Sequence, residues 1–279
     1  MSILVAVQVH EGMVLAADSA ITNAFGTGQS DANVYFGGNK LVNVYKGLPI
    51  AVAFCGAASL GPAPMAVVLK DFRERIRCER SADFEQLKRR LSVGDMAARL
   101  RAYVYEERYK AIESQLPAAG DRPVMVLWVA GISAAESATE LWQITVDSQG
   151  QCPPTTCVGP AGNCGVYWSG DKEAISRLMN GIGDAAQAAL LGLIPGPIGT
   201  QVQQALITAS QANLWAPAMP IQDAIELADY LVDSTIRFAR FRKGYQTVGG
   251  AIDIAAITRH EGFRWVQRKL YFPPELNGG

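Results

Sequence analysis

The sequence predicts an α+β fold in which two antiparallel sheets pack together and helices cover their outer sides. Strand-like and helix-like stretches come in separate runs along the chain. The chain has 279 residues, of which 49% are hydrophobic and 18% charged, so it can bury a large core without a disulfide or a metal ion. Because neither a linker nor an internal repeat interrupts it, we expect a single domain over residues 1–279.

The first part of the chain has the pattern of strands. Apolar and β-branched residues on both sides of a break at Gly12 predict a hairpin at the N-terminus. The stretch 22–40 is rich in Gly, Asn and Ser, and we expect a loop there. Strands are predicted over 2–9, 13–19, 40–44 and 49–56.

Helices dominate the rest of the chain. Apolar residues recur at helical spacing, as at Phe84 and Leu87. The Gly-rich stretch 157–170 leads into a helix whose start we expect at 169–171. Helices are predicted over 59–78, 81–116, 171–191, 198–213 and 221–241, strands over 124–132 and 140–147, and a last strand hairpin that turns at 260–262.

One segment has an unusual composition. Residues 185–222 contain no charged side chain, whereas a solvated pair of helices normally carries several. Two interpretations are open: these helices are buried in a large core, or they form a subunit interface.

The charge balance argues against several classes of partner. The 25 basic and 26 acidic residues leave a formal net charge of -1, without the basic surface that nucleic acid or an anionic membrane requires. The longest apolar stretch, 188–199, is too short to span a membrane and is interrupted by prolines. The start lacks the pattern of a signal peptide, so we expect a cytoplasmic protein.

The cysteines and histidines form no ligand pattern. The cysteine count of five is odd, and Cys152, Cys157 and Cys164 are loosely spaced. His10 and His260, the two histidines, lie far apart in the chain. We therefore expect free thiols, no metal site and no cofactor.

The opening segment, MSILVAVQVHEGMVLAADSA, has a specific spacing. Gly12 and Asp18 follow Ser2 by 10 and 16 residues. This resembles the proteasome β-type subunits, which are N-terminal nucleophile hydrolases. Their mature chains begin with a nucleophilic threonine, followed by an apolar strand, a glycine and an apolar run that ends in Ala-Ala-Asp-Ser. The same two intervals occur in that family, so the resemblance places Ser2 at the nucleophile position.

Four later segments resemble segments of the same family, in the same order. They are NKLVNV with Lys40, AFCGAAS with Cys55, WSGDKEAISRL with Ser169, and PIQDAIELADYLVDSTI. The resemblance, which points to a bacterial-type proteasome homologue, spans most of the chain and leaves a helical insertion at about 180–219. It implies a four-layer αββα sandwich of two antiparallel sheets flanked by helices, the N-terminal nucleophile hydrolase fold.

The resemblance implies that Ser2 is both nucleophile and base once Met1 is removed. A hydroxyl group needs an adjacent base, and an α-amine with a pKa of about 8 can accept its proton near neutral pH. Lys40 would place a positive charge beside the nucleophile, and Asp18 would hold Lys40 in an ion pair.

Three further residues complete the implied site. The backbone N–H of Cys55 or of Gly56 would donate a hydrogen bond to the oxyanion of the tetrahedral intermediate. Ser169 is a further catalytic candidate in the resemblance. Its alternative role is to cap the N-terminus of the helix that follows it.

The implied function is the hydrolysis of peptide or other amide bonds through an acyl-enzyme on Ser2. The implied partners are a peptide or unfolded protein substrate, identical subunits in a ring or spiral, and an ATPase unfoldase. Two alternatives are open: a catalytically inactive structural or binding homologue, and a small-molecule amidase of the same class. A departure favours inactivity, because Tyr245 and Val248 occupy positions where the family carries an acidic residue and a serine. Thr247, one place earlier, is a candidate replacement for that serine.

Overall fold

Two five-stranded antiparallel sheets and two short hairpins make up the strands in the part of the chain that the structure describes. The computed structural model describes residues 2–24, 32–79, 90, 92–244 and 246–269. The strands are β1 Ile3–Val9, β2 Gly12–Ala17, β3 Ile21–Ala24, β4 Ala32–Tyr35, β5 Leu41–Asn43, β6 Ile50–Gly56, β7 Ser59–Leu60, β8 Ala63–Pro64, β9 Met125–Ile132, β10 Thr139–Val146, β11 Thr156–Gly159, β12 Gly165–Gly170, β13 Asp253–Thr258 and β14 Gly262–Gln267. The first sheet has the order β12-β1-β2-β13-β14, and the second has the order β11-β10-β9-β6-β5.

The helices lie between and after the strand runs, as the sequence predicts. They are α1 Met65–Glu79, α2 Val93–Arg101, α3 Glu173–Asn180, α4 Asp184–Leu193, α5 Pro197–Ser210 and α6 Ile221–Phe241. Helix α2 continues as a π-helix over Ala102–Tyr109 and ends in short turns over Lys110–Ile112 and Glu113–Gln115. The Ser92 side chain caps α2 by accepting a 3.1 Å hydrogen bond from the backbone N–H of Asp95.

Strands β1 and β2 are buried on both faces, which explains their continuous apolar sequence. Successive side chains of a strand point to opposite faces. Leu4 and Ala6 therefore face the second sheet, while Val5 and Val7 face the helices on the other side. The predicted N-terminal hairpin is confirmed, since β1 and β2 pair in antiparallel register. The predicted last hairpin, β13–β14, is confirmed as well.

Three apolar cores hold the sheets and helices together. The first joins the facing sides of the two sheets and includes Leu15 and Trp128. The second lies between the first sheet and helices α3 and α6, with Leu231 at its centre. The third lies between the second sheet and helices α1 and α2, and includes Phe54 and Leu100. The chain is thus α+β, with antiparallel sheets and with helices packed on them.

The helix predicted over 59–78 begins later than expected. Strands β7 and β8 pair across a turn at Gly61, where φ is +56°, and α1 begins at Met65. Pro62 and Pro64 explain the delay, because proline lacks the N–H and its ring clashes inside a helix. Part of the second predicted helix, 81–89, lies outside the described residues.

The helix predicted over 171–191 is two helices. Gly181 adopts a left-handed conformation, with φ of +73°, and ends α3 there. The first of these helices also starts later than expected, at Glu173, because Gly170 is still part of β12. Strand β12 pairs with β1, and this tertiary pairing decides the boundary.

The loop predicted over 22–40 is wrong in part. Strands β3 and β4 pair antiparallel, with Ile21 opposite Tyr35 and Thr22 opposite Val34. These β-branched and aromatic residues favour extended structure over a loop. Residues 25–31 lie outside the described part of the chain.

Of the two interpretations left open for the uncharged segment, burial in a large core does not hold for helices α4 and α5. Helix α4 has no buried residue, and Gly199 is the buried residue of α5. The side chain of Leu193 is 82% exposed. Among the described residues, no helix combines the length and the apolar character that crossing a bilayer requires.

Candidate active site

A cavity of about 940 Å³ lies beside Ser2, which directly precedes β1, and beside the start of β3 and the end of β6. Ser2, Lys40 and Gly56, three of the residues predicted for the site, line this cavity together. Most of the other lining side chains are apolar, Phe36 and Phe54 among them. Of the described lining residues, only Lys40 carries a charge. The cavity therefore presents one cation in neutral surroundings.

Asp18 connects four parts of the chain at the base of this site. Its Oδ1 accepts hydrogen bonds from Lys40 Nζ at 2.5 Å and from the backbone N–H of Ile3 at 3.0 Å. Its Oδ2 accepts from the backbone N–H of Ala20 at 3.1 Å and of Gly249 at 3.0 Å. This carboxylate is fully buried, and its four donors explain how it stays there.

Lys40 is a buried cation with one charged partner. Its side chain is 1% exposed, and its ammonium group pairs with Asp18. Burial lowers the pKa of Lys40 below its ordinary value, although the Asp18 carboxylate raises it in part. An ammonium group of this kind stabilises negative charge strongly, because little solvent screens it.

The backbone around Ser2 is held on both sides. The Ser2 carbonyl oxygen accepts a 2.8 Å hydrogen bond from the N–H of Asp171, and the next N–H, that of Ile3, donates to Asp18. Gly170 has φ of +107°, and a Cβ atom there would lie 1.9 Å from the Ser2 carbonyl oxygen. Only glycine allows β12 to approach Ser2 this closely. From the sequence, Gly170 and Asp171 were expected only to begin a helix, and their contacts with Ser2 were missed.

Asp171 is itself fixed by an arginine from α6. The guanidinium of Arg242 donates to both carboxylate oxygens of Asp171, at 2.6 and 3.2 Å. A bidentate pair of this kind sets geometry as well as charge. Asp171 is buried and Arg242 is 34% exposed, so the end of α6 clamps the segment that binds the Ser2 carbonyl.

Of the two predicted oxyanion donors, Gly56 faces the cavity. The N–H of Ala57 donates to Val124 on the β9 side. In an antiparallel ladder every second residue bonds to the same neighbour, so the N–H of Cys55 faces β9 as well. The N–H of Gly56 points the other way. A Cβ atom on Gly56, where φ is +90°, would lie 2.1 Å from the Val124 carbonyl oxygen.

Ser169 lies inside β12, opposite Leu4 of β1. The alternative that it caps a helix is wrong, because the N-cap residue of α3 is Lys172. The Ser169 hydroxyl accepts a 3.5 Å hydrogen bond from the Cys55 thiol. Burial raises the pKa of the Cys55 thiol, which keeps its proton available for this bond. A catalytic role of Ser169 stays a prediction.

A second lysine, which is partly buried and which sequence reasoning missed, lies close to the site. Lys269 Nζ donates to Asp253 Oδ2 at 2.8 Å, to the Gly38 carbonyl oxygen at 2.5 Å and to the Ser19 hydroxyl. These contacts connect β13 with the residues next to Asp18 and Lys40. A signal was present in the sequence, since Asp253 is a charged residue at the start of a buried strand and requires a partner.

The segment before β13 contains the departures from the family pattern. Tyr245 lies outside the described residues. Val248 is fully buried in the core between the first sheet and α6. Thr247 Oγ1 is buried and has no hydrogen-bond partner among the described residues. This segment still contributes to the site, because the N–H of Gly249 donates to Asp18.

None of the cysteines and histidines is among the described residues that line the cavity, although Cys55 lies between Phe54 and Gly56, which both line it. All five cysteines are unpaired. His10 Nδ1 lies 3.9 Å from the Cys164 sulfur. Within the ranges that the structure covers, no three His, Cys, Asp or Glu side chains are grouped so that they could hold a metal ion.

No model of a protein family matches the chain, and no curated protein matches it. The assignment of a function therefore depends on the residues of the site and on their geometry.

Proposed function

We propose that this chain is a proteasome-like N-terminal nucleophile hydrolase that cleaves peptide or other amide bonds through an acyl-enzyme on Ser2. One observation carries the proposal: Lys40, which is paired with the buried Asp18, lines the same cavity as Ser2 and Gly56. Two packed antiparallel sheets with helices outside them are compatible with the four-layer αββα sandwich of that class, and this supports the proposal.

The reaction uses Ser2 twice. After removal of Met1, the α-amine of Ser2 accepts the hydroxyl proton while Oγ forms a bond to the carbonyl carbon of the substrate. The tetrahedral intermediate then expels the amine of the substrate, which takes up that proton as the C–N bond breaks. Water attacks the resulting ester with the same α-amine as base, which releases the acid and restores Ser2.

The surroundings of Ser2 supply the electrostatic support for these steps. The N–H of Gly56 donates to the developing oxyanion, and a single donor of this kind lowers a barrier by about 3 kcal/mol. The Lys40 ammonium favours the neutral form of the α-amine, because two neighbouring cations repel each other. The Asp18 carboxylate favours the charged form of Lys40 and fixes the position of its ammonium group.

The apolar lining of the cavity favours binding of an uncharged group on the acyl side of the substrate. Ile21, Phe36, Phe54 and Pro62 are among its lining residues. A volume of about 940 Å³ accommodates a short stretch of unfolded chain. As parts of the same proposal, the substrate is a peptide or an unfolded protein, and identical subunits assemble in the cytoplasm, with an ATPase unfoldase as a further partner.

A second candidate is a homologue without catalytic activity. The unpartnered hydroxyl of Thr247 and the burial of Val248 favour it, because this segment then lacks the acidic and hydroxyl support that the family pattern contains. Such a protein would bind unfolded chains or build an assembly without cleaving amide bonds.

Covalent labelling distinguishes the two candidates. The purified protein is measured by intact-mass spectrometry before and after reaction with a peptide epoxyketone, whose two electrophilic carbons can take both the hydroxyl and the free α-amine. We expect a mass that lacks Met1 and one adduct on Ser2, absent from Ser2→Ala. Ser59→Ala removes another cavity-lining hydroxyl and is the matched control that keeps the adduct. Retained Met1 and no adduct would contradict the hydrolase.

A further inference from the structure

Helices α4 and α5 form a hairpin on the surface that carries no charge after Asp184, the first residue of α4. We name residues 185–214 the neutral hairpin, because all 30 lack a charged side chain. Its large apolar side chains are exposed to solvent to an unusual degree: Leu191 36%, Leu193 82%, Ile194 36%, Ile198 67%, Leu206 45% and Leu214 38%. Four of these six belong to the tip that connects the two helices, residues 191–198.

The neutral hairpin is firmly attached to the rest of the protein at its base. The N–H of Ala185 donates to Glu173 Oε2 at 3.0 Å, and the hydroxyl of Ser210 donates to the Asn180 carbonyl oxygen at 2.8 Å. The N–H of Ala212 donates to the carbonyl oxygen of Met179 at 2.9 Å. Both helices are thus anchored to α3, and the exposed tip belongs to an ordered element.

The two helices are also joined to each other. Gln203 Nε2 donates to Gln187 Oε1 at 2.8 Å, across the space between α4 and α5. This contact satisfies polar groups within the hairpin, but it covers none of the apolar side chains of the tip. Apolar groups that remain exposed in an anchored element mark an interaction surface.

The types of side chain on the hairpin indicate which kind of partner it can bind. Its polar side chains are amides and hydroxyls, each of which can donate and accept a hydrogen bond. A two-fold contact places the same surface patch on both sides, so a patch with charge of one sign repels its copy, whereas a patch of apolar, amide and hydroxyl groups does not. The neighbouring helix α6 differs, since it carries Asp223, Glu226, Asp229 and Asp233.

We propose that the neutral hairpin binds the same hairpin of a second copy of this chain, with the apolar tips in contact. Because the neutral hairpin carries no charge, it offers no electrostatic attraction to a charged peptide, a nucleic acid or an anionic membrane. The inference does not depend on the proposed catalysis, because no residue of the hairpin lines the cavity that contains Ser2.

The test measures the molar mass of the full chain by sedimentation velocity over a range of protein concentrations. A double variant, Leu193→Asp with Ile198→Asp, brings like charges together in the two-fold contact. We expect the mass of the wild-type complex to fall by about half or more. Phe241→Asp is the matched control, since Phe241 is also 82% exposed but lies at the end of α6. Its mass remains that of the wild type.

A mixing experiment distinguishes a specific loss of association from a lower mass caused by misfolding of the variant. Leu193→Asp and Leu193→Lys are each expected to associate weakly, and an equal mixture of the two is expected to regain the wild-type mass through opposite charges. A wild-type monomer at all concentrations would overturn the inference, as would an unchanged mass of the double variant or no recovery in the mixture. Binding of the monomer to phosphatidylcholine vesicles, lost in the double variant, would also overturn it in favour of a lipid surface.

The epoxyketone adduct on Ser2 is measured in the same variants. An adduct that persists while the mass falls separates self-association from catalysis. If the wild type gives no adduct but the mixing experiment succeeds, the proposed hydrolase fails while the self-association surface stands.

Discussion

Lys40 Nζ lies 2.5 Å from Asp18 Oδ1, and the two side chains are only 1% and 0% exposed. An ion pair this deeply buried has lost the hydration of both charges. The attraction between the two charges offsets part of this lost hydration. The backbone N–H groups that donate to Asp18 offset a further part. The relationship connects the stability of the protein with the electrostatics of the proposed site.

Removal of one member of this pair is expected to destabilise the protein more than removal of both. Asp18→Asn leaves the Lys40 ammonium buried without a counter-charge, and we expect the free energy of unfolding to fall by about 3–5 kcal/mol. Adding Lys40→Met is expected to recover part of that loss without restoring labelling of Ser2. Urea unfolding followed by tryptophan fluorescence measures all three proteins. Equal losses in the single and double variants would argue against mutual compensation.

The rate of amide hydrolysis is expected to have two limbs in its pH profile. It rises as the α-amine of Ser2 loses its proton, which we expect below the ordinary pKa of about 8 because the Lys40 ammonium favours the neutral amine. It falls as Lys40 becomes neutral, and because burial lowers the pKa of Lys40, this loss begins at a lower pH than for an exposed lysine. The measurement is kcat/KM for a fluorogenic peptide against pH. In Lys40→Arg the guanidinium stays charged, so the alkaline limb is expected to disappear. An unchanged alkaline limb would assign it to another group.

Gly170 is expected to tolerate no side chain. In Gly170→Ala the Cβ atom would lie 1.9 Å from the Ser2 carbonyl oxygen, so β1 and β12 must separate where the nucleophile begins. We expect a loss of more than about 3 kcal/mol in stability and loss of the Ser2 adduct. Gly162→Ala is the matched control, because φ is +81° there and nothing lies within 4 Å of the added Cβ. Its cost is about 1–2 kcal/mol, with labelling kept. Similar melting temperatures for the two variants would contradict the steric argument.

Lys269 is expected to act on the site as a positioning residue. Burial is the main cause of the lowered pKa of Lys40, and the nearby charge of Lys269 adds a small part, so we expect Lys269→Met to move the alkaline limb of the pH profile slightly to higher pH. The same variant leaves the buried carboxylate of Asp253 without its partner, and we expect lower stability. Lys243→Met removes an exposed lysine and is the control for net charge. A stability loss with an unmoved alkaline limb would limit Lys269 to a structural role.

Local pattern was sufficient for the elements whose neighbours in space are also neighbours in the chain. The β1–β2 hairpin and the β13–β14 hairpin follow from apolar runs broken by Gly12 and by the turn that was predicted at 260–262 and lies at 259–261. Helix α6 has the predicted bounds, 221–241, because a long amphipathic run with polar residues on one side specifies a surface helix by itself. Pro62 and Pro64 were also present in the sequence, and giving them full weight would have placed the start of α1 correctly.

The sequence was sufficient to propose Ser2, Asp18 and Lys40 as site residues, because their spacing and flanking segments resemble those of a known family. Only the tertiary structure decided how they meet: the four donors around Asp18, the approach of Gly170 to the Ser2 carbonyl, the orientation of the Gly56 N–H and the exposure of the neutral hairpin. The physical reason is that burial and electrostatics depend on distances between atoms far apart in the chain. Composition alone left the uncharged segment equally compatible with a core and with a surface, and the packing of α4 and α5 outside the sheets selected the surface.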